Sequence, residues 1–94
     1  MAIAFSSRLT QSPDVLISHH GREAVLLDLK SEQYFGLNET GTRMWTALME
    51  AEAIEGAFER LLAQYDIVPD VFRSHLERFI EQLVERGLAR IDGA

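Results

Sequence analysis

Three histidines are the side chains of this sequence best suited to metal binding or proton transfer. His19 and His20 are adjacent, and adjacent residues on a strand point to opposite faces, so they cannot easily share one metal ion. His75 has no second histidine one helical turn away. The chain contains no cysteine, which excludes thiolate metal sites, cysteine nucleophiles and disulfides. We therefore predict no metal site and interpret the adjacent pair as a solvated turn.

The sequence does not predict that the acidic side chains cluster at one site either. Glu77, Glu81 and Glu85 follow one another at intervals of four residues, which is typical of a solvated helix face. No serine lies in a GxSxG elbow, and neither GxGxxG nor GxxxxGK[ST] occurs. The sequence therefore predicts no enzyme, no catalytic residue and no cofactor.

Length and composition indicate one small globular unit. We predict a single domain over residues 1–94, with enough apolar residues for one modest core. The opening residues lack the basic region of a signal peptide, and no stretch approaches the ~20 apolar residues of a membrane span. Together with the lack of cysteine, this predicts a cytoplasmic location and no membrane contact. Oligomeric state stays open between a monomer and a weak dimer.

The first half of the chain has the pattern of an antiparallel meander. An apolar run at 15–17, an alternating segment at 24–30 and the segment 33–37 are predicted to be strands, with a turn at Ser31-Glu32. Residues 1–13 read as a loose arm or a first edge strand. The segment 33–37 has no obvious partner on its far side, and such a strand can accept a peptide.

The second half is predicted to be helical. Asn38 is a good N-cap for a helix to about Glu50, and further helices are predicted at about 53–65 and 70–86. Gly87 is a natural residue to end the last helix, with a short strand at 88–91. The predicted fold is α+β and winged helix-turn-helix-like: a three-stranded antiparallel sheet, three helices and a short C-terminal strand.

The third predicted helix has more apolar surface than one buried face needs. One column contains Phe72, Leu76, Phe79 and Leu83, and a less regular column contains Val71, His75, Ile80 and Val84. Either the helix is central to a small core, or one column faces the core and the other lines a groove beside the open strand. The second arrangement would suit a protein that holds a peptide.

The same order of elements occurs in winged-helix proteins that bind DNA through their third helix. Here that helix has a slight acidic excess, and the whole chain carries a net charge of −6. A nucleic-acid binder normally presents a basic patch to the phosphates. We therefore predict no nucleic-acid partner, and a DNA-binding regulator is the less favoured alternative.

The run LLDLKSEQYFGLNETGTRMW resembles the centre of the PqqD-like family, the recognition elements for precursors of ribosomally synthesised, post-translationally modified peptides (RiPPs). The final ERGLARI resembles the family's ending, so the likeness covers roughly residues 13–92. It implies a winged-helix-like protein that binds the leader segment of a precursor peptide and presents it to a leader protease or other modifying enzyme. The YFGLN version looks more like the lasso-peptide group, and the alternative is a peptide chaperone of the PQQ type or of another radical enzyme.

The resemblance also implies site residues. Backbone pairing with the leader would come from the third strand, that is from Gln33, Tyr34, Phe35, Gly36 and Leu37. Apolar pockets would come from Leu76, Phe79 and Leu83, with Phe72 and His75 near one end. Arg73 or Arg78 would hold a leader carboxylate. Which face of the third strand looks into the groove depends on the turn before it, because a slip of one residue exchanges Tyr34 for Phe35.

Overall fold

The computed structural model of the protein describes residues 3–92, which form two small antiparallel sheets and three helices. The elements in chain order are β1 (Arg8–Gln11), β2 (Val15–His20), β3 (Glu23–Asp28), β4 (Gln33–Leu37), α1 (Glu39–Glu50), α2 (Ile54–Leu62), α3 (Pro69–Glu85) and β5 (Ala89–Asp92). The predicted α+β class, with antiparallel strands and three helices, is confirmed.

The larger sheet contains three strands in the order β2-β3-β4. Leu26, in the middle of β3, pairs with Ile17 of β2 and Phe35 of β4, and its side chain is completely buried. Because side chains alternate along a strand, residues 24, 26, 35 and 37 share the face that packs against the helices. This register decides which β4 side chains reach the core.

The connection between β3 and β4 differs from the predicted two-residue turn. β3 ends at Asp28, and four residues lead to Gln33. The Asp28 carboxylate accepts hydrogen bonds from the Lys30 N–H at 3.0 Å and from the Ser31 hydroxyl at 2.9 Å. These two bonds favour the ionised carboxylate and hold the pKa of Asp28 below its usual value. The longer turn arises because the aspartate side chain organises the backbone that follows it.

Glu32 closes this turn in the left-handed region, with φ of 59°. A residue with a Cβ in that region lowers the stability of the folded state by about 1–2 kcal/mol. Glycine adopts the region without strain, but it has more conformational entropy to lose on folding, which costs about 0.5–1 kcal/mol. We therefore expect Glu32→Gly to raise the free energy of unfolding by about 0.5–1 kcal/mol, measured by urea denaturation. Glu32→Ala is the control, since it removes the carboxylate but keeps Cβ. An equal effect of both changes would contradict a backbone origin.

Residues 1–13 were predicted to be a loose arm or a first edge strand, and Arg8–Gln11 is a strand. β1 pairs antiparallel with β5 to form a second, two-stranded sheet, which the sequence did not predict. Phe5 and Leu9 of this segment are buried in the core. The backbone carbonyls of Ser7 and Phe5 accept hydrogen bonds, each of 2.8 Å, from the N–H groups of Ile54 and Glu55. These carbonyls provide hydrogen-bond acceptors for the first N–H groups of α2, because its N-cap residue makes no capping hydrogen bond with its side chain.

Helix α1 begins as predicted. The Asn38 side chain accepts a hydrogen bond from the Gly41 N–H at 2.8 Å. A Cβ at Gly41 would lie 3.3 Å from that same side-chain oxygen, so glycine leaves room for the cap. Helix α2 ends at Leu62, three residues before its predicted end at Tyr65.

The end of α3 also follows the prediction. Gly87 has a φ of 71°, its N–H donates to the Val84 carbonyl, and the Leu88 N–H donates to the Leu83 carbonyl at 2.8 Å. This pair of bonds is a Schellman motif, in which the buried side chains of Leu83 and Leu88 lie at the two contact positions. The motif reverses the chain into β5.

Helix α3 has one buried face, not two apolar columns. Its buried side chains are Phe72, Leu76, Phe79, Ile80 and Leu83. Ile80 thus joins the first predicted column, while Val71 and His75 are exposed and Val84 is half-buried. The helix is therefore central to a small core that it shares with α2 and β5. Among the described residues, no helix has the length and apolar character needed to cross a membrane.

Candidate peptide-binding site

Strand β4 is an open edge of the larger sheet. It pairs with β3 on one side, and no other strand within residues 3–92 pairs with it on the other. An open edge leaves backbone N–H and C=O groups without strand partners. β2 is the opposite edge of the same sheet, but β4 differs from it because the end of α3 lies beside it.

The contact between β4 and α3 is made by Phe35 and Arg86. The Arg86 guanidinium lies 5.0 Å from the centroid of the Phe35 ring. Gln33, Tyr34, Phe35, Arg86 and Leu88 are among the residues that line a small depression there. We call the space between strand Gln33–Leu37 and the side of α3 that carries Arg86 the β4–α3 groove.

The two faces of β4 have different surroundings. Leu37 is buried, and Phe35 is half-buried beside α3. Tyr34 is 71% exposed and, with Leu16 and Leu27 in register, lies on the face of the sheet that points away from the core. The β4 side chain that looks towards the β4–α3 groove is therefore Phe35. The register of β4 against β3 decides this, because Phe35 pairs with the buried Leu26.

One line of exposed residues runs along α3 to Arg86. Val71, His75, Arg78, Gln82 and Arg86 follow one another at steps of three or four, so they form a single stripe on the helix. All five side chains are exposed, Val71 to 46%. Its last member, Arg86, contacts Phe35 and lines the depression beside β4, so the stripe runs along α3 from the β4–α3 groove. We call it the α3 stripe.

Four apolar residues expected to form leader pockets lie in the core instead. Leu76 and Leu83 have no exposed surface, and Phe72 stacks on Phe58 with ring centroids 6.0 Å apart. Phe79 retains 8% exposure at the edge of the buried face. In this conformation these side chains pack between α3 and the rest of the core, and only Phe79 adjoins the α3 stripe.

Arg73 is placed differently from its predicted position. Its guanidinium lies 3.8 Å from the centroid of the Phe5 ring, and one of its nitrogens lies 3.7 Å from a Glu55 carboxylate oxygen. Both contacts are on the side of α3 that faces α2 and the N-terminal segment. The sequence left Arg73 and Arg78 as alternatives for holding a leader carboxylate, and the Arg73 guanidinium is engaged with Phe5 and Glu55. Arg78 does lie on the α3 stripe.

Arg86 and Gln82 were not predicted as site residues. The signal was the spacing of 75, 78, 82 and 86, which places them on one helix face together with His75 and Arg78. The spacing alone does not say which face meets β4, and only the contact with Phe35 identifies it.

The histidine pair lies at the end of β2, and both side chains are exposed. The Oγ of Ser18 and the Nε2 of His20 are 3.0 Å apart. Within residues 3–92, no group of three or more His, Cys, Asp or Glu side chains is arranged to hold a metal ion. The arrangement that the described residues do provide is a backbone edge beside a polar helix surface, which suits binding.

The chain is similar to known proteins in both sequence and structure. A family described as coenzyme PQQ synthesis protein D (PqqD) matches residues 23–89. No curated protein sequence matches the chain significantly. Among solved structures, TbiB1 in complex with the TbiA(beta) leader peptide superposes with a TM-score of 0.81 at 30% identity, covering 86% of this chain and 94% of TbiB1.

A second structure, a lasso peptide synthetase B1 complexed with its leader peptide, superposes with a TM-score of 0.80 at 20% identity. The match covers 88% of this chain and 98% of that protein, and it shows that the two share a fold. The PqqD match extends over more than half of the chain and includes β3, β4, all three helices and the start of β5. The chain belongs to the PqqD family.

Proposed function

We propose that this protein binds the leader segment of a ribosomally synthesised precursor peptide by adding it as a strand to β4. The observation that carries the proposal is the open edge of β4 beside the exposed stripe of α3. Both similar structures are of proteins complexed with leader peptides, which supports the same role here. Residues Gln33 to Leu37 supply backbone pairing, and Phe35, His75 and Arg78 border the bound peptide.

The free energy of peptide binding has two sources, which are backbone pairing along the edge of β4 and side-chain contacts. Four or five backbone hydrogen bonds contribute roughly 1 kcal/mol each, and ordering a flexible peptide costs about 2–5 kcal/mol. The edge therefore sets register and direction, while two or three buried anchors at roughly 1.5–3 kcal/mol each provide most of the affinity. The upper part of this sum, about 8–12 kcal/mol, corresponds to a dissociation constant between micromolar and nanomolar.

In this proposal the protein is a non-catalytic single domain, residues 1–94, that works in the cytoplasm as a monomer or weak dimer. It delivers the leader to a leader protease or other modifying enzyme, and the likeness to a lasso peptide synthetase B1 favours lasso peptide biosynthesis. The PqqD match favours a radical-enzyme peptide chaperone as the second candidate. A winged-helix arrangement of α1 to α3 belongs to the same proposal.

Strand addition predicts an alternating pattern of backbone contacts. The TbiA(beta) leader peptide is a suitable probe, because TbiB1 shares 30% identity with this chain. We expect N-methylation of single peptide nitrogens to weaken binding about tenfold at every second position across the paired segment, since alternate N–H groups face the edge strand. Isothermal titration calorimetry on each methylated peptide measures this pattern.

Methylation at the positions between them, whose N–H groups point away from β4, is the internal control. A peptide that binds with no period of two along its backbone is held by side chains alone, and strand addition is then wrong. A protein that binds no leader peptide but retards duplex DNA at low salt would instead be a winged-helix regulator.

A further inference from the structure

Basic and acidic side chains of α3 lie on two adjacent lines along the helix. The exposed α3 stripe carries His75, Arg78, Gln82 and Arg86, and Glu77, Glu81 and Glu85 form the neighbouring line with a spacing of four. Glu81 lies three residues beyond Arg78, a spacing at which opposite charges can pair. What distinguishes the basic line is its end, where Arg86 lies over Phe35 of β4.

The two arginines of the α3 stripe form no ion pair within residues 3–92. The other helical arginines do: Arg43 pairs with Glu39, Arg60 with Glu50 and Arg73 with Glu55. Arg8 and Arg90 also lack an ion pair within residues 3–92, but they lie on β1 and β5, away from α3. Arg86 contacts only the face of the Phe35 ring in the groove, which leaves its N–H donors available.

We propose that the α3 stripe recognises carboxylates of the bound peptide, so that this protein selects acidic leaders. The inference rests on the proposed function and names the chemical class of its ligand. Arg78 and Arg86 are eight residues apart, which is about 12 Å along a helix. Residues i and i+4 of an extended peptide are about 13 Å apart and point to the same side. The leader therefore carries Asp or Glu at two positions separated by four.

A carboxylate-bearing peptide fits this site better than nucleic acid does. The net charge of −6 repels a long phosphate backbone, but the local basic stripe attracts a short acidic segment. The open backbone edge of β4 can form hydrogen bonds with the N–H and C=O groups of an added peptide strand. Duplex DNA has no such peptide backbone to pair with it. The charged contacts are partly exposed, so they contribute selectivity and a salt-dependent association more than bulk affinity.

A display library of random twelve-residue peptides tests the inference directly, because it offers acidic, basic and neutral peptides to the protein in equal measure. We expect the wild-type protein to enrich peptides with Asp or Glu at positions i and i+4. The R78E/R86E variant should enrich Lys or Arg at those positions. R43E/R60E is the matched control, because it makes the same change of net charge on α1 and α2, and it should keep the wild-type preference. Circular dichroism establishes that each variant is folded.

A selected acidic peptide then measures the size of the effect. We expect R78E to bind it about tenfold more weakly than the wild-type protein, and less so at high salt, because a charge-assisted contact becomes a repulsion. Enrichment of peptides without an acidic preference overturns the inference and leaves leader binding intact. No enrichment at all overturns both, and so does duplex DNA retardation that R78E abolishes.

Discussion

The Phe79→Asp variant is expected to be unfolded at 25 °C, not merely unable to bind peptide. Phe79 is only 8% exposed and belongs to the single buried face of α3. Removing a buried phenylalanine costs about 3–5 kcal/mol, and burying an unpaired carboxylate costs several more. This sum is comparable with the whole stability of a small domain, about 5–15 kcal/mol. Thermal and urea denaturation followed by circular dichroism would show no cooperative transition.

The neighbouring residue supplies the control. Arg78→Asp introduces the same side chain one position away, on the exposed α3 stripe. We expect its free energy of unfolding to change by less than about 0.5 kcal/mol, as is usual for surface substitutions, while binding of an acidic peptide weakens. If Phe79→Asp remained folded with nearly wild-type stability, Phe79 would be a groove residue after all.

Removing residues 1–11 is expected to have an effect of similar size. The deletion takes away β1, the buried side chains of Phe5 and Leu9, and the two carbonyls that accept hydrogen bonds from the start of α2. Two large buried side chains alone contribute about 2–3 kcal/mol each. The truncated protein should therefore lose its cooperative unfolding transition, although it keeps the whole region that matches the PqqD family.

Point variants separate these contributions. Leu9→Ala should lower the free energy of unfolding by about 2–5 kcal/mol, because Leu9 is 1% exposed and a cavity replaces it. Arg8→Ala, on the exposed side of the same strand, should change it by less than about 0.5 kcal/mol. A truncated protein that melts at the wild-type temperature would show that the N-terminal segment contributes little to the stability of the core.

Local signals predicted the helices well. Asn38 and Gly87 mark helix ends by their own backbone and side-chain chemistry, and the structure uses both of them in that way. Helices α1 and α2 followed from the periodicity of apolar residues for the same reason, since a helix face is a property of neighbouring residues. The start of α2 was uncertain because its capping groups are carbonyls about fifty residues away in the chain.

The candidate site was less predictable than the fold. Arg73, Arg78 and Arg86 are alike in sequence, yet Arg73 packs on Phe5 while Arg86 lies over Phe35. Spacing assigns residues to helix faces but does not say which neighbour each face meets. The apolar residues Leu76 and Leu83 were expected to line pockets for the same reason, and the structure places them in the core.

By itself the sequence determined the number and kind of helices, the antiparallel class of sheet, the acidic character of the chain and its family. These follow from local propensity, periodicity and short motifs, which act over a few residues. Only the tertiary structure decided that β1 closes on β5, that Phe35 and not Tyr34 looks into the β4–α3 groove, and that Arg86 borders it. Those features depend on contacts between distant segments and on the register of β4 against β3.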